Sequence, residues 1–94
     1  DSDARNKARA EWGAKLDAMP EVVTFNHNQS APQRERVMKV TSTQIVIAST
    51  YTPGESSYRY KHDPKSGNYY EMGASDSWRR RVILAADAAS LRAP

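Results

Sequence analysis

The chain reads as an α+β domain: an N-terminal helix, a four- to five-stranded antiparallel meander and a C-terminal helix. Three observations carry this reading. From Val37 to Met72, β-branched and aromatic residues alternate with polar ones, the two-residue period of a strand with one buried face. Strong turn signals, Thr52-Pro53-Gly54-Glu55 and Asp63-Pro64-Lys65-Ser66-Gly67, divide that stretch into short runs. Two segments with helical apolar spacing and one Trp each flank it. A sheet with one helix on either side in sequence packs as a two-layer sheet or as a small curled barrel capped by the helices.

The first helix is predicted over Asp3 to Met19. Ala8, Trp12, Leu16 and Met19 fall within about 80° on a helical wheel. Asp1, Ser2 and Asp3 suit the N-terminal cap and the positive end of the helix dipole, and Pro20 stops the helix. Glu21 to His27 alternates as a first strand. Asn28 to Pro32 has the composition of a loop. The meander strands are Val37 to Val40, Gln44 to Ala48, Ser57 to His62 and Asn68 to Met72. Asp63-Pro64-Lys65-Ser66-Gly67 suits a type I turn closed by a left-handed glycine, which pairs the last two strands as a hairpin. The closing helix is predicted from a Ser75 or Ser77 cap to Leu91, with Trp78, Val82, Ala85, Ala86 and Ala89 over about 100° of the wheel.

Ninety-four residues form one domain with a modest core. Without cysteine there is neither a disulfide framework nor a thiolate metal site. No apolar run approaches the roughly 18 residues of a membrane span, so no membrane partner is expected. The net charge of +3 is uneven: residues 34 to 81 hold nine basic side chains against five acidic ones. That excess sits on the meander and suits a polyanionic partner.

The candidate contact residues are Tyr58, Arg59, Tyr60, Lys61, Lys65, Tyr69 and the triplet Arg79, Arg80 and Arg81, with Tyr70 beside them. Rings and cations together on a sheet hold single-stranded nucleic acid, bases stacking on the rings while Lys and Arg follow the phosphates. Against this, tyrosines at alternate strand positions are also ordinary core and cross-strand pairs, and Arg59 and Lys61 then serve as solvated charges that keep an edge from aggregating. The Arg triplet steps through about 200° of a helical wheel, so it makes no single patch. His27 and His62 with Glu55, Asp63 and Glu71 supply residue types for acid-base chemistry without any spacing that assembles them. No catalytic residue, cofactor or metal ligand is assigned.

Two resemblances add to this. The segment from Gly73 to Leu91, with its Ser cap, basic residues and paired alanines, resembles the end of a double-stranded-RNA-binding domain. That likeness implies phosphate contacts by Arg79 and Arg80, although Trp78 stands where that family carries a basic residue. The wording Val40-Thr41-Ser42-Thr43-Gln44-Ile45-Val46, followed by Tyr58-Arg59-Tyr60-Lys61, Gly67 and Gly73, is similar to small uncharacterised bacteriophage proteins with a Val-x-x-Thr-x-Gln-Ile-Val hairpin core. That similarity implies a protein of the infected cell's cytoplasm that binds nucleic acid or a host protein. Asp1 in place of an initiating Met fits the alternative of a secreted or periplasmic protein whose signal was removed. The functional expectation is a non-enzymatic module that binds nucleic acid through its basic tyrosine-rich sheet; the alternative is a protein-interaction module or inhibitor acting on a host protein.

Overall fold

The structure is a computed structural model and describes residues 2–26, 29–73 and 80–92. Helix α1, Ser2–Ala18, ends at Pro20 as predicted. Of its apolar stripe only Trp12 is buried; Leu16 and Met19 are half-buried and Ala8 is exposed. The Trp12 indole N–H donates to the Ser49 carbonyl at 2.8 Å. One aromatic anchor with a satisfied polar tip thus ties a largely solvated helix to the body.

The body is built of β1 (Glu21–Asn26), β2 (Gln29–Val40), β3 (Gln44–Ala48), β4 (Ser56–His62), β5 (Tyr69–Glu71) and β6 (Arg81–Ile83), followed by helix α2 (Ala85–Arg92). Each strand pairs antiparallel with the next, and β6 returns to β1 through Phe25↔Val82 and Asn26↔Arg81. The meander therefore closes into a six-stranded barrel. Closure removes most of the open edges that a flat meander of this length would present.

Local chemistry sets the turns. The Thr41 hydroxyl accepts the Gln44 N–H at 2.9 Å between β2 and β3. Ser49 Oγ accepts the N–H groups of Tyr51 and Thr52 after β3. Between β4 and β5, Asp63 accepts hydrogen bonds from the Lys65 N–H and the Ser66 hydroxyl, and Gly67 takes the left-handed φ of +79° that the loop requires. These bonds lower the Asp63 carboxyl pKa, the Ser66 hydroxyl foremost. Asn68 then reaches across to cap α2, its side-chain oxygen accepting the Ala85 N–H at 2.9 Å.

Register divides inside from outside. Val22, Val37, Ile45, Ile47, Tyr60, Tyr69 and Ile83 point inward and form the core with Ala88 of α2, while Val40 and Leu91 pack against it. The shift in pairing between Val37 and Lys39 lets both Val37 and Val40 face inward, and Lys39 takes the outer face opposite Val46.

Two expectations are corrected. The closing helix begins only at Ala85: Arg81, Val82 and Ile83 form a sixth strand, with Val82 and Ile83 buried between β5 and β1. The barrel needs a strand to close on β1, and this pairing outweighs the helical preference of the alanine-rich tail. The loop expected over Asn28 to Pro32 is also shorter, because β2 starts at Gln29 and carries Ala31 and Pro32 as strand residues. Ser75, Ser77, Trp78, His27 and Asn28 lie outside the described residues.

Candidate nucleic-acid interface

Alternation along β4 separates the expected contact residues into two sets. Arg59 and Lys61 are exposed on the outer surface. Tyr60 is 0% exposed and Tyr69 4%, so both belong to the core and not to a contact surface. The reason is geometric: neighbours in a strand point to opposite faces, and the face carrying Tyr60 is the one that packs on Ile45 and Ile83. The Tyr69 ring lies 5.0 Å from that of His62, its partner across the hairpin.

On the outer face, pairing aligns Lys39 with Val46 and Val46 with Arg59; one step along, it aligns Gln44 with Lys61 and Lys61 with Tyr70. Lys39, Arg59 and Lys61 thus stand close together across β2, β3 and β4, and among the described residues none of them is in an ion pair. A groove of about 580 Å³ runs between Lys39 and Arg59 over Val46, bordered by Gly54 and Glu55. A second hollow of about 740 Å³ includes Lys61, Tyr70, Met72 and Arg80, with Asp63 and Glu71 on its rim. Tyr70 is half-buried there, and Arg80 has its Nε buried without a hydrogen-bond partner. Lys65 is exposed in the β4–β5 turn.

Comparison with family models, with curated proteins and with solved structures finds no match for this chain. The site is therefore read from its own residues.

Arg81 and Tyr58 are engaged with each other and with Glu35. Arg81 Nη1 lies 3.0 Å from Glu35 Oε1, and its guanidinium carbon sits 5.4 Å from the centre of the Tyr58 ring. The Arg81 N–H also donates to Glu71 Oε2 at 3.2 Å, and the Tyr60 hydroxyl donates to Glu35 Oε2 at 3.3 Å. Burial raises the Glu35 pKa above its ordinary value even with Arg81 beside it. Burial, and next the nearby Glu35 charge, hold the Tyr60 hydroxyl pKa well above its usual place. Arg81 thus completes an inward polar cluster. Arg79 lies outside the described residues; Arg80 precedes β6 and Arg81 opens it, so these two are not in the first turn of a helix.

Lys39 is not among the contact residues the sequence suggests. Strict alternation would put it on the same side as Val37, and only the irregularity at Met38 and Lys39 turns it outward. Sequence carries no signal for that irregularity.

Among the described residues no helix is long and apolar enough to cross a membrane.

Proposed function

We propose that this protein is a small non-enzymatic module that binds nucleic acid through the outer face of β3, β4 and β5. The observation that supports this most is the set of unpaired cations, Lys39, Arg59 and Lys61, bordering the groove over Val46 and the hollow at Tyr70. A side chain held in an ion pair must give up its partner to meet a phosphate; these three need not. With Tyr60 and Tyr69 in the core, Tyr70 is the ring left beside the cations, so binding is led by phosphate contacts and is weakly selective for sequence. The similarity of the Val40 to Val46 hairpin to bacteriophage proteins supports an encounter in the host cytoplasm.

The test is fluorescence anisotropy with labelled single-stranded and duplex oligonucleotides of random sequence. Three phosphate contacts predict a loss of affinity of roughly 20- to 40-fold between 50 and 200 mM salt. The double variant Arg59→Ala, Lys61→Ala weakens binding to all sequences alike. Binding that ignores salt, or that survives this double substitution intact, overturns the reading.

A further inference from the structure

Strand β2 is twice as long as it needs to be for either neighbour. Its first part pairs with β1, through Thr24↔Gln33, Val23↔Arg34, Val22↔Glu35 and Glu21↔Arg36, while β3 pairs with it only from Val37 to Val40. On the side away from β1, the run from Gln33 to Glu35 consequently has no strand beside it among the described residues, whereas Arg36 is already met by Ala48 at the end of β3. The direction of its backbone groups follows from one bond. The Val37 N–H donates to the Pro20 carbonyl at 2.8 Å, on the β1 side. Backbone groups alternate along a strand, so Glu35 and Gln33 also face β1, and the N–H and C=O groups of Arg34 face away; those of Arg36 face away too, but its carbonyl is met by the Ala48 N–H in the Val37↔Ile47 pairing. Pro32 fits the same parity. Lacking an N–H, proline is tolerated in a strand where that group has no partner to meet, and Pro32 is in step with Arg34 and Arg36.

This free edge borders a cleft of about 780 Å³. Ile47, Ala48, Ser57 and Tyr58 form the wall opposite β2, and Leu16 and Asp17 of α1 close one side. We propose that the cleft takes up an extended peptide segment of a partner protein, added as a strand along Gln33 to Glu35. The outward backbone donor and acceptor of Arg34 are complementary to those of another extended backbone. Because the edge lies within a cleft under α1, the occupant is slender, a peptide and not the rim of a second barrel. A second copy pairing antiparallel through the same edge would also bring Arg34 and Arg36 against their own counterparts, an arrangement of like charges that disfavours it. The peptide's inward side chains meet the partly exposed Tyr58, which selects an apolar or aromatic residue beside it.

The experiment uses a displayed library of random dodecapeptides selected on the full chain, with the enriched peptide then synthesised. Binding slows amide exchange at Arg34. Arg34→Pro removes one edge-facing N–H and loses affinity on the order of tenfold or more, while Arg34→Ala, which removes the same side chain and keeps the N–H, binds within about twofold of wild type. Unchanged melting of Arg34→Pro shows that the barrel is intact. Where Arg34→Pro does lower the melting temperature, N-methylation of the peptide at alternate residues replaces it: one parity abolishes binding and the other does not. No enriched peptide, protection confined to another face, equal effects of both N-methyl parities, or self-association through β2 seen by sedimentation overturns the proposal.

Discussion

Glu35 and Arg81 stand 46 positions apart in the chain and meet at 3.0 Å. Strand β6 brings Arg81 there, and Tyr58 and Tyr60 complete the enclosure, one stacked on the guanidinium and the other hydrogen-bonded to the carboxylate. Taking away one partner of such a pair leaves the other charge poorly solvated. Arg81→Ala is expected to destabilise the fold by about 2–3 kcal/mol, read by urea denaturation. In a double-mutant cycle with Glu35→Gln the two losses do not add, and a coupling below about 0.5 kcal/mol would show that the pair contributes nothing specific.

The same carboxyl sets a pH dependence. Glu35 has a folded pKa raised above its unfolded value, burial being the main cause. The fold thus binds that proton more tightly than the unfolded chain does. Its contribution is complete below the unfolded pKa of about 4.3 and is lost as pH rises through the folded value. Wild type is expected to lose stability relative to Glu35→Gln as pH climbs from about 4 to 7. Melting temperatures of both proteins across that range check it; a gap that stays constant or moves the other way contradicts the burial argument.

Helix α1 is held by Trp12 alone among its buried side chains. Replacement by Phe keeps most of the ring and removes the hydrogen bond to Ser49, an expected cost of about 1 kcal/mol. Replacement by Ala frees the helix without unfolding the barrel, because the core is made of strand and α2 residues. Amide exchange is the discriminating measurement: in Trp12→Ala the amides of α1 exchange rapidly while those of β3 and β4 keep their protection. Loss of protection throughout would mean that α1 belongs to the same cooperative unit as the barrel.

Much of this fold is legible in the sequence wherever periodicity and turn chemistry agree. The strands Gln44 to Ala48 and Ser57 to His62 and the Asp63 to Gly67 turn are read within a residue or so of their places. What escapes is long-range. Val82-Ile83-Leu84 is three apolar residues beside an alanine-rich helix, and such a short run fits a helical stripe as well as a buried strand; only the pairing with Phe25 and Tyr70 decides it. The start of β2 reads as loop because Pro32 and its polar neighbours suit a turn, yet β1 pairs with Gln33 and, beyond an irregularity, with Gln29. At the interface, alternation already forbids Tyr60 from sharing a face with Arg59 and Lys61. Composition draws all three together, and only the known inward side separates them.

Lys39 tests that separation. As a phosphate contact, Lys39→Ala is expected to lower affinity for all sequences and to reduce the salt slope by about one counterion. Tyr60→Leu is expected to behave in the opposite way. Its ring is in the core, so stability falls by about 1–3 kcal/mol while the salt slope of the folded fraction is unchanged. Anisotropy titrations at several salt concentrations, paired with denaturation curves, separate the two. A normal slope for Lys39→Ala would remove it from the interface.

Gly67 and Gly54 share a left-handed backbone, φ of +79° and +81°, and differ in surroundings. A Cβ at Gly67 would meet the Ala85 Cβ at 3.3 Å, whereas one at Gly54 would meet nothing within 4 Å. Alanine at either position carries the left-handed penalty of about 1–2 kcal/mol. At Gly67 the contact also pushes against Ala85, the first residue of α2, whose N–H is capped by Asn68. Gly67→Ala is therefore expected to be the more destabilising of the two, by about 1 kcal/mol, and Gly67→Ala with Ala85→Gly is expected to recover that excess and leave the backbone penalty. Urea denaturation of the three variants measures each part. Equal losses at Gly54 and Gly67 would mean that the β4–β5 turn and α2 are not in close packing.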